Sequence, residues 1–385
     1  MKMRVLFPLP VGLDDARHLS GSFCELTKVL AERFELVPIK PLRLERNLSL
    51  ESLNKLQEWR CFPWRFATIH SNRTMAAYAS QLQPAIDRRD YDVVLSCNTI
   101  MTGLIRFRSP AFAYTDFSFF NALNYYSFAS NLLPASERKA LEMDRRSMSN
   151  LTAIFLASEW ACRETARAYG LPRDRLIAIG RGANLTSGWA LEQVIEFVNM
   201  RAVGPRVEFL FVGVDWQRKG GAVALRVVEG LRERGVNASI SIVGCSPQDR
   251  DRWKPYVRVW PYLSRRNEME HEILRRLFVS ASFFILPTTA EAMGIVFAEA
   301  SSFALPVIAY RTGGVEMAVE NGVTGLLFEP QTKDEEMVDA VLSLLGSKAR
   351  YISMGLSAFR RYEATLNWNV IVDRIEAEMR KHVSV

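Results

Sequence analysis

Short apolar runs alternate along the chain with longer amphipathic stretches. This alternation predicts parallel β-sheets covered by helices, because strands that are buried on both faces are nearly continuous runs of Val, Ile, Leu and Phe. In the first half the predicted strands are residues 4–9, 35–39, 93–96, 112–115, 153–157 and 176–179. In the second half they are residues 208–212, 239–243, 257–260, 283–286, 307–309 and 326–328. The pattern predicts two doubly wound α/β domains that are both Rossmann-like.

The two sets of strands are separated by a window that contains glycine and proline, at residues 182–205. Such residues are typical of a linker between domains. We therefore predict an N-terminal domain over residues 1–185 and a C-terminal domain over residues 186–359. A chain of 385 residues is long enough for two hydrophobic cores of this size.

Composition narrows the classes of partner. The net charge of +7 favours anionic partners, but the basic residues are scattered, so nucleic-acid binding is not expected. The five cysteines and four histidines do not cluster, which argues against a disulfide framework and a zinc site and favours a reducing, cytoplasmic compartment. The first residues predict a strand rather than a secretion signal, and no apolar run reaches the roughly 18 residues that span a bilayer.

One stretch, residues 48–87, mixes aromatic and basic side chains. Two interpretations are open. The first is an aromatic-rich pair of helices that packs on the N-terminal domain. The second is a surface that binds an acceptor or faces a membrane, since aromatic and basic residues together suit an interfacial position.

The clearest chemistry lies in residues 286–306, where an apolar strand leads into a turn and a helix is expected to begin near Gly294. The backbone N–H groups of Gly294, Ile295 and Val296 would then lie free at a helix N-terminus, where the helix dipole favours a phosphate group. Glycine also allows the backbone to approach a ligand closely. We therefore predict that this turn binds phosphate.

Two carboxylates flank the turn, Glu291 before the helix and Glu299 inside it. Glu291 is placed to face a reacting sugar, and Glu299 to accept hydrogen bonds from ribose hydroxyls. The alternative is an ordinary amphipathic helix with solvated glutamates. It fits poorly, because Glu299 is surrounded in sequence by Phe297, Ala298 and Ala300 and no polar face can be drawn through it.

A second loop, residues 213–221, follows another predicted strand. Gly213 ends the strand, Arg218 and Lys219 come next, and two glycines precede the following helix. Cations at the carboxyl end of a parallel strand are well placed to bind a diphosphate in the crevice of a doubly wound sheet. Basic residues in a solvated loop are the simpler alternative for this cluster taken alone.

Together these segments resemble the E-x7-E signature of family 4 retaining glycosyltransferases, and residues 306–328 are similar to the strand, Gly-Gly turn and Asn-Gly segment of that family. The resemblance implies a GT-B fold, in which two Rossmann-like domains face a central crevice. It also implies transfer of a sugar from a nucleotide-diphosphate sugar to an acceptor hydroxyl with retention of configuration. No metal or other cofactor is expected, since side-chain cations hold the diphosphate.

The resemblance assigns the phosphate clamp to Lys219 and to a second cation. In the family an Arg usually follows the glycine that ends the strand, but this chain has Val214 at that position. The second cation must come from elsewhere. Arg218 is the first candidate, and Arg181 is the reserve.

Two further segments resemble donor-binding parts of the family. Residues 257–263 are similar to the strand and loop that hold the nucleotide base, so Tyr262 and Leu263 are candidate contacts, although Tyr262 fits equally well as a core residue. The small-residue loop with Ser20, Gly21 and Ser22 resembles the one that reaches the diphosphate and sugar. A serine of that loop could also cap the following helix.

Asp116 ends a predicted strand in the first half, where many relatives carry His. An ionised aspartate accepts hydrogen bonds and donates none, so any contact with the sugar must differ in kind. Asp116 either binds a sugar hydroxyl or supports the adjoining loop.

The C-terminal residues 360–385 resemble the terminal helix that packs back on the N-terminal domain. We expect the second domain to bind the donor and the first to bind a glycan, lipid-linked or small-molecule acceptor. Peripheral contact with the inner membrane surface is also expected. The alternatives are a non-catalytic GT-B scaffold and a nucleotide-sugar epimerase.

Overall fold

The computed structural model describes residues 2–9, 22–40, 42, 54, 64–204, 206–247 and 254–383. The chain forms two compact units, one of Met1–Gly180 with Ile371–Val385 and one of Arg181–Val370. The sequence predicts a division after residue 185 and a terminal helix over residues 360–385 that packs back on the first domain. In the structure the return to the first unit begins at Ile371, so residues 360–370 belong to the second.

The first unit is a parallel sheet of six strands in the order β2-β1-β3-β4-β5-β6. The strands are β1 (Arg4–Leu6), β2 (Glu35–Val37), β3 (Val93–Ser96), β4 (Ala111–Thr115), β5 (Ala153–Leu156) and β6 (Leu176–Ala178). The described helices of this unit are α1 (Ser22–Arg33), α2 (Asn72–Arg88), α3 (Phe119–Ala122), α4 (Pro134–Ser149) and α5 (Glu159–Tyr169). Strands β3 and β5 are buried along their whole length, as continuous apolar runs require.

The second unit is also a parallel sheet of six strands, but its order is β12-β11-β10-β7-β8-β9. Its strands are β7 (Val207–Val212), β8 (Ala238–Val243), β9 (Val257–Trp260), β10 (Phe283–Leu286), β11 (Val307–Tyr310) and β12 (Gly325–Phe328). Its helices are α6 (Leu191–Val203), α7 (Gly221–Glu233), α8 (Glu268–Ser280), α9 (Ile295–Ser302), α10 (Val315–Ala318), α11 (Asp334–Leu345) and α12 (Lys348–Thr365). Helix α13 (Trp368–Arg380) begins in this unit and ends in the first.

The strand order of the second unit fixes where a ligand can bind. Strand β7 is the first of the unit along the chain, and it pairs with β8 on one side and β10 on the other. From β7 the chain adds β8 and β9 on one side of the sheet, and it then adds β10, β11 and β12 on the other side. Ligands of open α/β sheets bind at such a switch point, outside the carboxyl ends of the strands. The loops that follow β7 and β10 lie there.

The side chain of Arg201 holds the ends of two helices together. Arg201 on α6 donates to the carbonyl oxygens of Phe278 and Val279 in α8 and of Phe303 just after α9, at 3.3, 2.9 and 2.7 Å. The last carbonyls of a helix have no partner within the helix, so these bonds satisfy them. Burial lowers the pKa of Arg201 to about 10, which leaves it charged at neutral pH.

All twelve predicted strands are present, and the prediction of two doubly wound Rossmann-like domains is confirmed. The predicted first strand, residues 4–9, is three residues too long, since β1 ends at Leu6. Of the aromatic stretch at residues 48–87, residues 48–53 and 55–63 lie outside the described part, and the rest includes the start of α2. No helix among the described residues is both long and apolar enough to cross a membrane.

Candidate functional site

The loops after β7 and β10 are joined by hydrogen bonds at the switch point of the second sheet. The backbone N–H of Thr289 donates to the carbonyl oxygen of Arg218 at 2.8 Å, and the Thr288 hydroxyl donates to the same oxygen at 3.2 Å. Gly220 has a φ of 76°, and a Cβ atom there would lie 2.0 Å from the carbonyl oxygen of Pro287. Only glycine therefore permits this close approach of the two loops.

Both predicted cations of the first loop converge on Glu291 in the second. The Lys219 ammonium forms an ion pair with Glu291 Oε2, and each of these side chains is only 12% exposed. Arg218 Nη1 donates to the Ala290 carbonyl at 2.8 Å and lies 3.8 Å from the same Oε2. Arg218 Nε is also 3.4 Å from Asp215 Oδ2. The group has two positive and two negative side chains, so an incoming anion must compete with the carboxylates for the cations.

Helix α9 begins beside this cluster. Gly294 precedes it with a φ of 82°, and no side chain in the described part of the chain caps the helix. A Cβ atom at Gly294 would lie 2.6 Å from the Phe297 ring and 3.0 Å from Glu291 Cγ. The glycine is therefore required by the backbone and by its neighbours. The first N–H groups, at Ile295 and Val296, meet no side-chain acceptor among the residues that the structure describes. The predicted helix start is confirmed, and phosphate binding there stays a prediction.

Glu299 lies inside α9 and is fully buried. Its Oε1 accepts from Arg265 Nη2 at 2.5 Å. Burial raises the pKa of the Glu299 carboxyl above its ordinary value, and the charge of Arg265 opposes that rise. Backbone groups of Leu185 and Asn184 also lower the pKa, but Oε2 has no hydrogen bond of good geometry to any described residue. A ribose hydroxyl can reach this carboxylate only if Arg265 or the surrounding loops shift.

Gly213 and Val214 stand at the end of β7. A Cβ atom at Gly213 would lie 3.0 Å from Lys219 Cγ, so the glycine gives the lysine stem room to pass. Val214, the departure from the family pattern that the sequence predicts, is 68% exposed. Of the two candidates for the second cation, Arg218 lies next to Glu291, whereas Arg181 is buried at 4% exposure. Arg218 is therefore the better placed.

Tyr262 and Leu263 follow β9. The side chain of Tyr262 is 66% exposed, so the interpretation of it as a core residue is wrong. Leu263 is buried and leaves only its backbone for a ligand. Exposure of a large aromatic ring at the carboxyl edge of the sheet is compatible with stacking on a base, which stays a prediction.

In the first unit, Ser22 is the first residue of α1 and is buried. Ser20 and Gly21 lie outside the described residues. Asp116 directly follows β4, and its carbonyl oxygen accepts from the Ala157 N–H at 3.2 Å. Its side chain is half-buried at the end of the strand.

The loop that follows Asp116 is held by a buried carboxylate, Asp144 on α4. Asp144 Oδ2 accepts from the Phe119 N–H at 2.6 Å and from the Tyr169 hydroxyl at 2.8 Å, and its Oδ1 accepts from the Thr99 hydroxyl at 3.1 Å. Tyr169 in turn accepts from the Phe120 N–H at 3.2 Å. The first two N–H groups of α3 are therefore satisfied by side chains from α4 and α5.

Neutral groups complete this network, which we call the Asp144 cluster (Thr99, Ser118, Asp144, Thr165 and Tyr169). Ser118 caps α3, and the Thr165 hydroxyl is 2.9 Å from Ser118 Oγ. Burial and Asp144 raise the pKa of Tyr169 far above its ordinary value, so its hydroxyl stays a donor. The backbone N–H groups of the adjoining loop therefore bind Asp144 and its neighbours.

Sequence analysis missed Asp144, Tyr169 and Arg265. A signal for Asp144 exists, because it occupies a buried position of an amphipathic helix beside Met143 and Ser147. A charged residue on the apolar face of a helix requires partners. Arg265 carries no such signal, since arginines in loops are usually solvated.

Residues 206–347 match the model of the family described as glycosyl transferases group 1. The matched segment lies in the second unit and includes Lys219, Glu291 and Glu299. Among curated proteins, the chain is 31% identical over 159 residues to a D-inositol 3-phosphate glycosyltransferase of Corynebacterium aurimucosum, covering 38% of this chain and 37% of the relative. It is 26% identical over 164 residues to the sulfoquinovosyl transferase SQD2 of Arabidopsis thaliana, covering 42% and 31%.

The chain thus spans about a third of the length of these two curated relatives. Solved structures match over nearly the whole chain. A sucrose-phosphate synthase from Thermosynechococcus elongatus has a TM-score of 0.66 at 16% identity, covering 99% of each chain. HepE of Anabaena, in complex with UDP-glucose, has a TM-score of 0.62 at 14% identity, covering 98% of this chain and 100% of that one. These likenesses show the fold, which is of the GT-B type.

Proposed function

We propose that this protein is a retaining glycosyltransferase that moves a sugar from a nucleotide-diphosphate sugar to an acceptor hydroxyl. The observation that carries the proposal is the convergence of Lys219 and Arg218 on Glu291, beside the uncapped N-terminus of α9 and at the switch point of the sheet. At this sheet edge the cations and the N–H groups at the start of the helix suit a charged diphosphate, and the carboxylate suits the hydroxyls of a neutral sugar joined to it.

In the proposed reaction the bond between the anomeric carbon and the diphosphate oxygen breaks as the acceptor oxygen bonds to the same carbon. Negative charge develops on the departing diphosphate, where Lys219, Arg218 and the N–H groups at the start of α9 stabilise it. The sugar carbon acquires oxocarbenium character. Attack on the face from which the diphosphate leaves gives retention, and the acceptor proton passes to the departing phosphate oxygen.

Glu291 has two tasks in this proposal. Before the donor binds, it neutralises the two cations, which lie too near each other to be left unpaired at little cost. When the diphosphate takes over the cations, the carboxylate is released to accept a hydrogen bond from a hydroxyl of the donor sugar. Glu299 binds the ribose in exchange for part of its contact with Arg265, and Tyr262 stacks on the base.

The first unit binds the acceptor in this proposal, which is a glycan, a lipid-linked compound or a small molecule with a free hydroxyl. Asp116 accepts a hydrogen bond from a sugar hydroxyl at the end of β4. In the adjoining loop the Phe119 and Phe120 N–H groups donate to Asp144 and Tyr169, and the Ser118 N–H donates to Asn121. We place the reaction in the cytoplasm, at the inner membrane surface, and propose that side-chain cations hold the diphosphate without a metal ion.

Incubation with a panel of nucleotide sugars tests the proposal. We expect slow release of a nucleoside diphosphate from one donor in the absence of acceptor, and chelation of divalent cations should not abolish it. Proton NMR of the transferred sugar should show the anomeric configuration of the donor. An epimerase would convert the sugar while it stays attached to the nucleotide, and a non-catalytic scaffold would release nothing from any donor. Either result would contradict the proposal.

A further inference from the structure

The exposed large hydrophobic side chains of the first unit are confined to two segments of its described residues. They are Trp64, Ile69, Phe120 and Phe128, with 42%, 45%, 36% and 54% of their surface exposed. We call these four residues the aromatic face. Water-exposed apolar side chains that occur singly need no explanation, but a group of them marks a site of contact.

Backbone hydrogen bonds tie the two segments to each other. The Arg65 N–H donates to the Asn131 carbonyl, and the Leu133 N–H donates to the Arg65 carbonyl, both at 2.8 Å. Arg65 Nη1 also donates to the Ser127 carbonyl at 3.0 Å, next to Phe128. These bonds place Trp64 and Phe128 on the same part of the unit.

Ring contacts extend this connection. The ring of His70, the neighbour of Ile69, lies 4.3 Å from the ring of Phe119, the neighbour of Phe120. Tyr126 is stacked between Phe117 and Phe128, at 5.2 and 5.7 Å. The ring of Phe128 therefore packs on other rings, so little of its side-chain entropy is lost when it is covered.

Basic side chains outnumber acidic ones around the aromatic face. Residues 117–133 contain no charged side chain, and in residues 64–71 the arginine is the only one, apart from His70, whose pKa is lowered by burial. The helices that continue these segments bring exposed basic residues, Arg73 at the start of α2 and Arg138 and Lys139 in α4. The acidic residues of α4 nearest to them are the half-buried Glu137 in the first turn and the exposed Glu142 one turn further along.

We propose that the aromatic face is a docking surface for an anionic phospholipid bilayer. Trp, Tyr and Phe favour the boundary between head groups and acyl chains, and basic residues beside them are attracted to anionic lipids. A second copy of the chain fits this surface less well, because two such faces would bring their basic rims together. The docking surface rests on the membrane location given in the proposed function, whereas binding to a bilayer does not require the transfer reaction itself.

Vesicle co-sedimentation of the whole 385-residue chain tests this proposal. Vesicles of phosphatidylcholine alone are compared with vesicles of phosphatidylcholine and phosphatidylglycerol in equal amounts. We expect binding to the anionic vesicles and little binding to the neutral ones. The double variant Trp64→Ser with Phe128→Ser should bind about tenfold more weakly, since two half-exposed apolar side chains no longer enter the bilayer. Arg138→Gln with Lys139→Gln should have an effect of about the same size through charge.

The matched control is Ile195→Ser with Met200→Ser on α6 of the second unit, whose side chains are 42% and 56% exposed. It removes similar apolar exposure and should leave vesicle binding unchanged. Equal loss in the control, equal binding to neutral vesicles or no binding by the unmodified protein would overturn the proposal. So would a dimer in solution that Trp64→Ser with Phe128→Ser converts to a monomer. Nucleoside diphosphate affinity, measured without vesicles, separates failure of this proposal from failure of the proposed function.

Discussion

Each unit has its own parallel sheet of six strands. The loops at the carboxyl edges of the two sheets are held by different kinds of interaction. In the second unit the loops after β7 and β10 are joined through charged side chains, with Lys219 and Arg218 at Glu291. In the first unit the loop after β4 is held by one buried carboxylate, Asp144, which accepts from backbone and hydroxyl donors. The strand orders differ as well.

The difference shows how one architecture is adapted to two kinds of ligand. Paired charges near solvent can exchange one partner for another, so the second unit is prepared to take up an anion in place of a carboxylate. The Asp144 cluster is buried and its hydrogen bonds are satisfied within the unit, so it keeps the loop in one conformation. A loop held in one conformation can recognise neutral hydroxyl groups through the positions of its hydrogen-bonding groups.

The largest expected effect is on the charged loops. Lys219→Ala should lower turnover by about a hundredfold to a thousandfold, because a preorganised cation at the leaving group is lost. Thermal melting should change little, since Arg218 stays near Glu291. Release of nucleoside diphosphate measures turnover. Lys254→Ala is the control, because Lys254 pairs with Glu229 in the same unit. Turnover within a few-fold of normal in folded Lys219→Ala would remove this lysine from the mechanism.

A smaller effect is expected at the buried carboxylate of α9. Glu299→Gln keeps the shape of the side chain but removes its charge, and it should weaken the binding of the free nucleoside diphosphate about tenfold, because hydrogen bonds from ribose to a charged acceptor are lost. Isothermal titration calorimetry measures this affinity. Glu316→Gln, at an exposed glutamate of α10 in the same unit, serves as the control. Unchanged affinity, together with a lower melting temperature, would show that Glu299 serves only to hold Arg265.

The smallest effect is expected in the first unit, and it tests whether the Asp144 cluster matters for transfer. Tyr169→Phe removes the donor to Asp144 and the acceptor of the Phe120 N–H, and it should reduce the free energy of unfolding by about 2 kcal/mol. Turnover should fall severalfold, while nucleoside diphosphate affinity stays the same. Chemical denaturation, turnover and calorimetry measure the three quantities.

The control for this variant is Tyr91→Phe, whose buried hydroxyl donates to the Ile86 carbonyl at 2.8 Å and has no contact with the Asp144 cluster among the hydrogen bonds of the described residues. Tyr91→Phe should reduce the free energy of unfolding by about 1 kcal/mol and leave turnover unchanged. If Tyr169→Phe lowers stability without any change of turnover, the cluster is structural and does not position Asp116. If nucleoside diphosphate affinity falls too, the contrast between the two units is wrong.

Much of the donor-side site was predictable from the sequence. Glu291, Gly294 and Glu299 lie within one segment, and their roles depend on where a strand ends and a helix begins. The helix start at Gly294 follows from a glycine placed between an apolar strand and an apolar helix. The sequence shows that Val214 departs from the family pattern. It does not show that the side chain of Val214 is exposed.

The remaining parts of the site depend on residues far apart in the chain. Lys219 and Glu291 are 72 positions apart, and Asp144 lies 25 positions from Phe119 and 45 from Thr99. No local pattern encodes such pairings, because they arise only when the sheet brings the ends of different strands together. Tyr262 illustrates the same limit, since an aromatic residue after a strand is equally compatible with the core and with the surface.

The sequence by itself determined the twelve strands, the doubly wound class and the start of α9. The physical reason is that burial on both faces imposes continuous apolar runs, and glycine alone adopts the backbone required at the turn. Tertiary structure alone decided the strand orders, the partner of each buried charge and the grouping of the aromatic face. These features depend on which elements pack together, and a buried carboxylate such as Asp144 or Glu299 takes its partners from whichever neighbours the fold provides.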